Sequence, residues 1–316
     1  MPLKTPAFWT DRNVISTALR PFSCAYRLGH KIKMALARPY KSAIPVLCVG
    51  GIVAGGSGKT PIVHAVVDLI REQGIFENPV ILTRGYGGSL KGPTLVDLSV
   101  HSAEGVGDEA LLHASRAPTV VARNRSQGAM LAEAMNADII VMDDGFQNHS
   151  LEKSLSFLVI DSSQGLGNGY CLPAGPLREP LEEALRRCAL VIRTGGESNF
   201  PVLEKPAAKA VLHIVSSNDH GKSYVAFAGL GHPEKFRRTL EEDGFKIARF
   251  VPFADHHPYS RADMATLKAD GLPLITTEKD FMRIPADDRS GIDVVRISYS
   301  FETPQTVIDH LKRLCP

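Results

Sequence analysis

The chain has 316 residues, 44% hydrophobic and 22% charged, a globular composition with length for one large or two ordinary domains. A formal charge of +2, with no cluster of basic and aromatic residues resembling a base-stacking platform, argues against a nucleic-acid partner. Five dispersed cysteines without C-x-x-C spacing point to reduced thiols in a cytosolic compartment, and away from a zinc site or disulfide framework.

Residues 7–41 set Phe8, Trp9, Val14, Ile15, Leu19, Phe22, Leu28, Ile32 and Leu36 among seven basic residues and a single acid, Asp11. No uncharged apolar run reaches the ~18 residues of a membrane span, and a signal-peptide cleavage site is lacking. The segment reads as an amphipathic helix lying on an anionic membrane surface, or as a helix packed on its own domain with a solvated basic face. It forms the first region, 1–42.

The stretch Val49–Pro61 follows an apolar run and precedes a helical pattern, giving strand, glycine-rich turn and helix. Ala54, Gly55, Gly56, Ser57, Gly58, Lys59 and Thr60 form a phosphate cradle in which Lys59 reaches the β/γ-phosphates and the Thr60 hydroxyl holds Mg²⁺. Val53 stands where the general P-loop pattern has its first glycine.

Pro79–Thr83 is a second strand ending at Arg84, which either meets an anionic group or is a solvated turn residue. Asp108 and Glu109 open the next helix, as functional acids or as dipole compensation. Arg123 and Arg125 follow the strand Thr119–Ala122, as phosphate partners or a solvated pair. The run Asp138–Gly145 ends in Asp143 and Asp144, the arrangement that sets an acid beside the Mg²⁺ of a P-loop site. Gln147, Asn148 and His149 continue into the rim, and Pro and Gly residues at 172–180 shape a loop around Arg178 and Glu179. Leu155–Asp161 and Ala189–Arg193 complete a P-loop NTPase-like α/β domain over 43–205, a mostly parallel sheet with helices on both faces.

A polar stretch near 195–206 marks a boundary, with 206–222 expected as a linker and 223–316 as a smaller second α/β domain. Strands are expected at Tyr224–Gly229, Lys246–Val251, Pro273–Thr276 and Asp293–Ile297, with a closing helix from Pro304 to Leu314. Its loop at 253–259 carries His256 and His257, which lack a metal-binding spacing and fit an acid–base histidine or a surface pair.

Taken in order, Gly-Gly-Ser-Gly-Lys-Thr-Pro at 55–61, Thr-Arg-Gly-Tyr-Gly-Gly at 83–88, Val-Gly-Asp-Glu at 106–109, Asp-Asp-Gly-Phe-Gln at 143–147, Gly-Asn-Gly at 167–169, Leu-Pro-Ala-Gly-Pro-Leu-Arg-Glu at 172–179, Phe-Ala-Gly-Leu-Gly-His-Pro at 227–233, Asp-His at 255–256 and Thr-Thr-Glu-Lys-Asp at 276–280 resemble the tetraacyldisaccharide 4′-kinase family. The resemblance implies transfer of the ATP γ-phosphate to the 4′-hydroxyl of a membrane-embedded glycolipid, tetraacyldisaccharide 1-phosphate, at the cytoplasmic face of the inner membrane. It assigns Asp108 as the base, His256 as its partner, and Thr60, Asp143 and Asp144 to Mg²⁺. Arg84, Glu109, Arg123, Gln147, Asn148 and Glu179 match substrate-facing positions. Gly51 and Val53 depart from the Asn and Thr or Ser common in the family, and Asn148 stands where many members have His. The rival is a P-loop switch or metallochaperone-type NTPase; the pattern of its guanine-specific members is nearest at Leu267-Lys268-Ala269-Asp270, with Leu in the reading position. A soluble sugar kinase is disfavoured by the basic apolar N-terminus.

Overall fold

The computed structural model describes residues 6–54, 58–196, 205–215, 219–231 and 233–315. Gly55, Gly56 and Ser57 of the expected cradle therefore lie outside the described residues, as does most of the expected boundary stretch. The chain forms two compact units, Thr5–Leu212 with Tyr299–Pro316, and His213–Ser298.

The larger unit begins with α1 (Val14–Ala18) and α2 (Arg20–Leu36). There follow β1 (Val46–Gly50), α3 (Lys59–Glu72), β2 (Pro79–Thr83), β3 (Thr94–Leu95), α4 (Ala103–Val106), α5 (Asp108–Ala114), β4 (Thr119–Val121) and α6 (Arg125–Ala134). Then come β5 (Ile139–Asp143), β6 (Leu155–Asp161), α7 (Leu181–Arg187), β7 (Leu190–Thr194) and β8 (Ala207–Ile214). The smaller unit contributes β9 (Ser223–Ala228), α8 (Pro233–Glu242), β10 (Lys246–Pro252), α9 (Arg261–Lys268), β11 (Leu274–Thr277), α10 (Glu278–Phe281) and β12 (Ile292–Val295). Finally β13 (Ile297–Phe301) and α11 (Pro304–Lys312) carry the chain back into the larger unit.

The order of the large sheet is β13-β8-β7-β6-β1-β5-β2-β4-β3. Strands β1, β2 and β5 are buried throughout, which is why each reads as an unbroken apolar run rather than an alternation. Alternate residues still serve opposite faces. Leu47 and Val49 join the cluster holding Val63, Val66 and Ile70 of α3, while Val46 and Cys48 join the one holding Ala129 of α6 and Ala184 of α7. Ile62, Val63, Val66, Val67 and Ile70 are fully buried, each worth roughly 1.5–3 kcal/mol relative to exposure, so α3 is fixed by its core face. From β1 the chain builds outward to β5, β2 and β4 on one side and β6 and β7 on the other. That reversal opens a crevice beyond the C-terminal end of β1, where open α/β sheets bind ligands.

Two boundaries differ from the sequence expectation. Ala207–Ile214, expected within a linker, is strand β8; its partly exposed, Lys- and His-bearing register gives no continuous apolar run. The single strand expected at 293–297 is two, β12 and β13, and residues 299–316 belong to the larger unit rather than to a second domain ending at 316. The cause is packing: Val307, Ile308 and Leu311 of α11 are buried in the same cluster as α3.

The smaller unit is a parallel sheet, β10-β9-β11-β12, with Tyr224, Ala226 and Ala228 in one core cluster and Val225 and Phe227 in the other.

The N-terminal segment is docked on the 168–174 loop of the larger unit. Trp9 Nε1 donates to Pro173 O at 3.0 Å, Ser23 Oγ to Cys171 O at 2.7 Å, and the buried Asn168 amide to Phe8 O at 3.0 Å. The tryptophan is thus a packing residue. Elsewhere α2 is exposed: Leu28, Ile32 and Leu36 recur every four residues on one face at 60%, 50% and 77% exposure. No helix of the described residues is long and apolar enough to cross a membrane.

Candidate active site

At the end of β1 the chain is pinned to the Pro176–Arg178 segment. Ala54 N donates to Pro176 O at 2.8 Å, and Arg178 N to Ile52 O at 2.7 Å. Val53 makes an antiparallel bridge with Leu177, so the residue that breaks the general glycine pattern occupies ordinary extended backbone. Gly58 closes the turn with φ +65° and caps α3, a left-handed conformation that favours glycine.

Lys59 leads α3 and lies 3.5 Å from Asp144 Oδ1. Arg178 Nη1 donates to both oxygens of Asp144, at 3.1 and 3.0 Å, and lies 3.3 Å from Gln147 Oε1. Gln147 in turn donates to Gly51 O and to Glu179 Oε1, both at 2.9 Å. Glu179, 2% exposed, is closed off by an ion pair with Arg187, whose guanidinium covers the Phe146 ring. Burial opposes ionisation of Asp144, but Lys59 and Arg178 outweigh it and hold its carboxyl below the ordinary value. The result is one connected polar network, Lys59–Asp144–Arg178–Gln147–Glu179–Arg187, running from the P-loop helix to α7.

Asp143 ends β5 in parallel register with Val49 of β1. Its Oδ2 accepts from His113 Nε2 at 3.1 Å, and its Oδ1 is buried without a hydrogen-bond partner among the described residues. An orphaned buried carboxylate oxygen costs ~1–3 kcal/mol or more and marks a place for a cation. Together with the Thr60 hydroxyl in the first turn of α3, this donor set fits Mg²⁺, which takes one or two carboxylates and fills its shell with water and nucleotide phosphate oxygens. That chemistry needs no cluster of three His, Cys, Asp or Glu side chains, and the described residues contain none.

Asp108, 4% exposed, is the first residue of α5 and follows Gly107 at φ +90°. A Cβ on Gly107 would lie 2.4 Å from Tyr86 O, so the loop after β2 and the turn before α5 interlock through a position only glycine fills. Of the expected arginines, Arg84 is exposed and Arg123 donates to Gly88 O at 3.1 Å. Arg125 is buried, with Nη1 on Ala122 O and Nε without a partner; desolvation lowers it to about 10 although the Asp143 charge opposes that. Asn148 turns its Oδ1 to Ser150, and His149 lies 3.4 Å from His30 of α2. A cavity of about 670 Å³ opens between this loop and α2, lined by Ile32, Lys33, Leu36, Arg38, Gln147 and Asn148.

In the smaller unit, His256 has φ +58° and lies with Nδ1 3.2 Å from Arg283 Nη2. Asp280, fully buried, organises the neighbourhood by accepting from Gly229 N, Tyr259 Oη and Arg283. His257 instead pairs with Asp263 at 3.2 Å in the first turn of α9.

The family model described as tetraacyldisaccharide-1-P 4′-kinase matches residues 15–315. The chain belongs to the tetraacyldisaccharide 4′-kinase family. Relatives of that name include one from Paramagnetospirillum magneticum, 40% identical over 99% of both chains, and one from Bradyrhizobium diazoefficiens, 43% identical over 98% of this chain and 97% of the relative. Among solved structures, the "apo" form of LpxK from Aquifex aeolicus in complex with ATP is 27% identical and superposes with a TM-score of 0.82, covering 96% of this chain and all of that one.

For a member of the tetraacyldisaccharide 4′-kinase family, sequence reasoning singled out most of the network but missed its connectors. Arg187 and Lys153, the latter donating to Phe146 O and Asn148 O, look like surface charges in sequence. His64 and His113 carried a usable signal: each is a histidine inside an apolar helical stripe, where a buried polar group needs a partner.

Proposed function

We propose that this chain transfers the γ-phosphoryl group of ATP to the 4′-hydroxyl of tetraacyldisaccharide 1-phosphate in lipid A synthesis. The observation that carries the reading is the cavity beside Gln147 and Asn148. It joins the polar network of the P-loop to the apolar and basic side of α2, which is what a phosphorylated glycolipid acceptor requires and a switch NTPase does not.

In this reading Lys59 and Arg178, held ready on Asp144, turn to the charge that develops on the transferred phosphoryl group. Thr60 and Asp143 would hold Mg²⁺, which would supply positive charge to the nucleotide phosphates. Asp144 serves better as the counter-charge of Lys59 and Arg178 than as a direct ligand. Asp108 takes the proton of the 4′-hydroxyl, with His256 as the partner the family resemblance assigns it. Arg84 and Arg123, exposed at the ends of β2 and β4, are available to acceptor anions, and Glu109 stands beside the base.

We place the reaction at the anionic cytoplasmic face of the inner membrane. Support comes from the exposed stripe Leu28, Ile32 and Leu36 beside Lys33 and Arg38. Incubation with labelled ATP and detergent-dispersed tetraacyldisaccharide 1-phosphate, followed by thin-layer separation, should give a Mg²⁺-dependent phospholipid product. A lipid-independent ATPase activity without that product would overturn the reading.

A further inference from the structure

Behind the phosphate site Asp143 is joined to two histidines that no role above uses. Asp143 Oδ2 accepts from His113 Nε2 at 3.1 Å, and His113 Nδ1 lies 3.0 Å from His64 Nε2. Asp143 and His113 are 3% and 0% exposed, and the two imidazoles meet edge to face with centroids 5.0 Å apart. With Asp143 ionised, the carboxylate only accepts, so Nε2 of His113 carries the proton of that bond. Its other nitrogen is engaged by His64, and either sense of that second bond keeps the ring from flipping.

The three residues come from three elements that each bear part of the site. His64 is on α3, five residues after Lys59; His113 is in the last turn of α5, whose first residue is Asp108; Asp143 ends β5. The helices and strand that carry them contribute the apolar residues of two core clusters, so a polar chain at this place carries a desolvation cost. At its Asp143 end the chain leaves one buried carboxylate oxygen, Oδ1, without a hydrogen-bond partner among the described residues.

We propose that His113 is a positioning residue for Asp143. It ties up Oδ2 so that Oδ1 remains the free donor for the divalent cation, and His64 locks the imidazole that does so. The same clasp sets the register of α5, and with it Asp108, against the P-loop helix. This rests on the Mg²⁺ part of the kinase reading. It parallels the way outer hydrogen bonds orient metal-ligating groups elsewhere, where their loss costs about 10–100-fold in metal affinity.

The discriminating pair is His113→Gln and His113→Asn. Glutamine sets its amide nitrogen near the position of Nε2 and can still donate to Asp143, whereas asparagine reaches only as far as Nδ1. Both keep a polar side chain of similar bulk. Mn²⁺ binding to the full chain with a non-hydrolysable ATP analogue, read by electron paramagnetic resonance, is compared with metal-free analogue binding. The expected result is a Mn²⁺ half-saturation within about threefold of the parent for Gln and raised at least about tenfold for Asn, with metal-free analogue binding equal in both. His64→Leu, which frees the ring but leaves His113 in place, should fall between them. If the Gln and Asn variants take up Mn²⁺ alike, or Asn binds it better, the proposal is overturned. Because no lipid is present, failure of the acceptor reading would leave this result standing; a parent chain that binds no Mn²⁺ with nucleotide would sink the metal assignment and this inference together.

Discussion

Asp108 and Asp143 are both nearly buried acids, yet their roles separate in a measurable way. Asp108→Ala should lower phosphoryl transfer by about 10²-fold or more, the range for losing a general base, while ATP affinity stays within about twofold. Equal loss of both in equilibrium binding and product assays would make Asp108 structural. Histidines give the pH behaviour. Burial pushes His64 well below its ordinary value, and burial with the Lys153 charge lowers His149 to about 4. On acidification the unfolded chain protonates first, near 6.5, and the folded one only later, so these two histidines cost stability as pH falls from about 6.5 toward 4. Thermal melts at pH 5 and pH 7 should therefore differ less for His149→Gln than for the parent chain. At this scale Lys59 and Asp143 were legible because phosphate and Mg²⁺ chemistry dictates their type and spacing, whereas Asp108 and Gln147 were reached through the family resemblance. His113, Arg187 and Arg283 were not singled out: only folding brings His113 to Asp143, Arg187 over the Phe146 ring and Arg283 to His256.

Among the elements, the turn before α5 is the most constrained. Gly107→Ala combines φ +90° with a Cβ 2.4 Å from Tyr86 O. It should cost ~1–3 kcal/mol or more by denaturant unfolding, and should depress transfer beyond that loss because α5 carries Asp108. Helix α2 has two tasks on different faces. Replacing Leu28, Ile32 and Leu36 together by Ser should reduce sedimentation with anionic vesicles by at least about tenfold, given ~1.5–3 kcal/mol for each fully buried aliphatic side chain, and leave the melting temperature nearly unchanged because these side chains are half or more exposed and lie outside the core clusters. Undiminished vesicle binding would remove α2 from the membrane. The central strands could be read from sequence because burial on both faces leaves an apolar run. β8 could not, since it is partly exposed and alternates apolar residues with Lys209 and His213.

On the scale of the whole molecule, the sequence suggested two domains in succession, whereas the contacts describe an insertion. The chain leaves the larger unit after Leu212 and re-enters it at Tyr299, on strands β8 and β13 that are neighbours in one sheet. The misreading was inevitable from local pattern, because β13 and α11 continue the strand–helix rhythm of the segment before them. Their destination is set by Phe301, Val307, Ile308 and Leu311, all buried in the cluster beneath β1 and α3.

This topology separates order of synthesis from order of completion. The P-loop elements precede the second unit in the chain, yet the layer that covers α3 is carried by residues 301–311, beyond it. Four buried side chains at roughly 1.5–3 kcal/mol each approach the whole net stability of a domain, ~5–15 kcal/mol. A chain stopped at Ser298 should therefore fail to bind nucleotide, although it retains Lys59, Thr60, Asp143 and Asp144, whereas removal of 213–298 with a short bridging linker should preserve binding. Nucleotide competence should thus wait on residues 299–314, and a chain stopped before Tyr299 is expected to be inactive instead of an ATP-binding fragment.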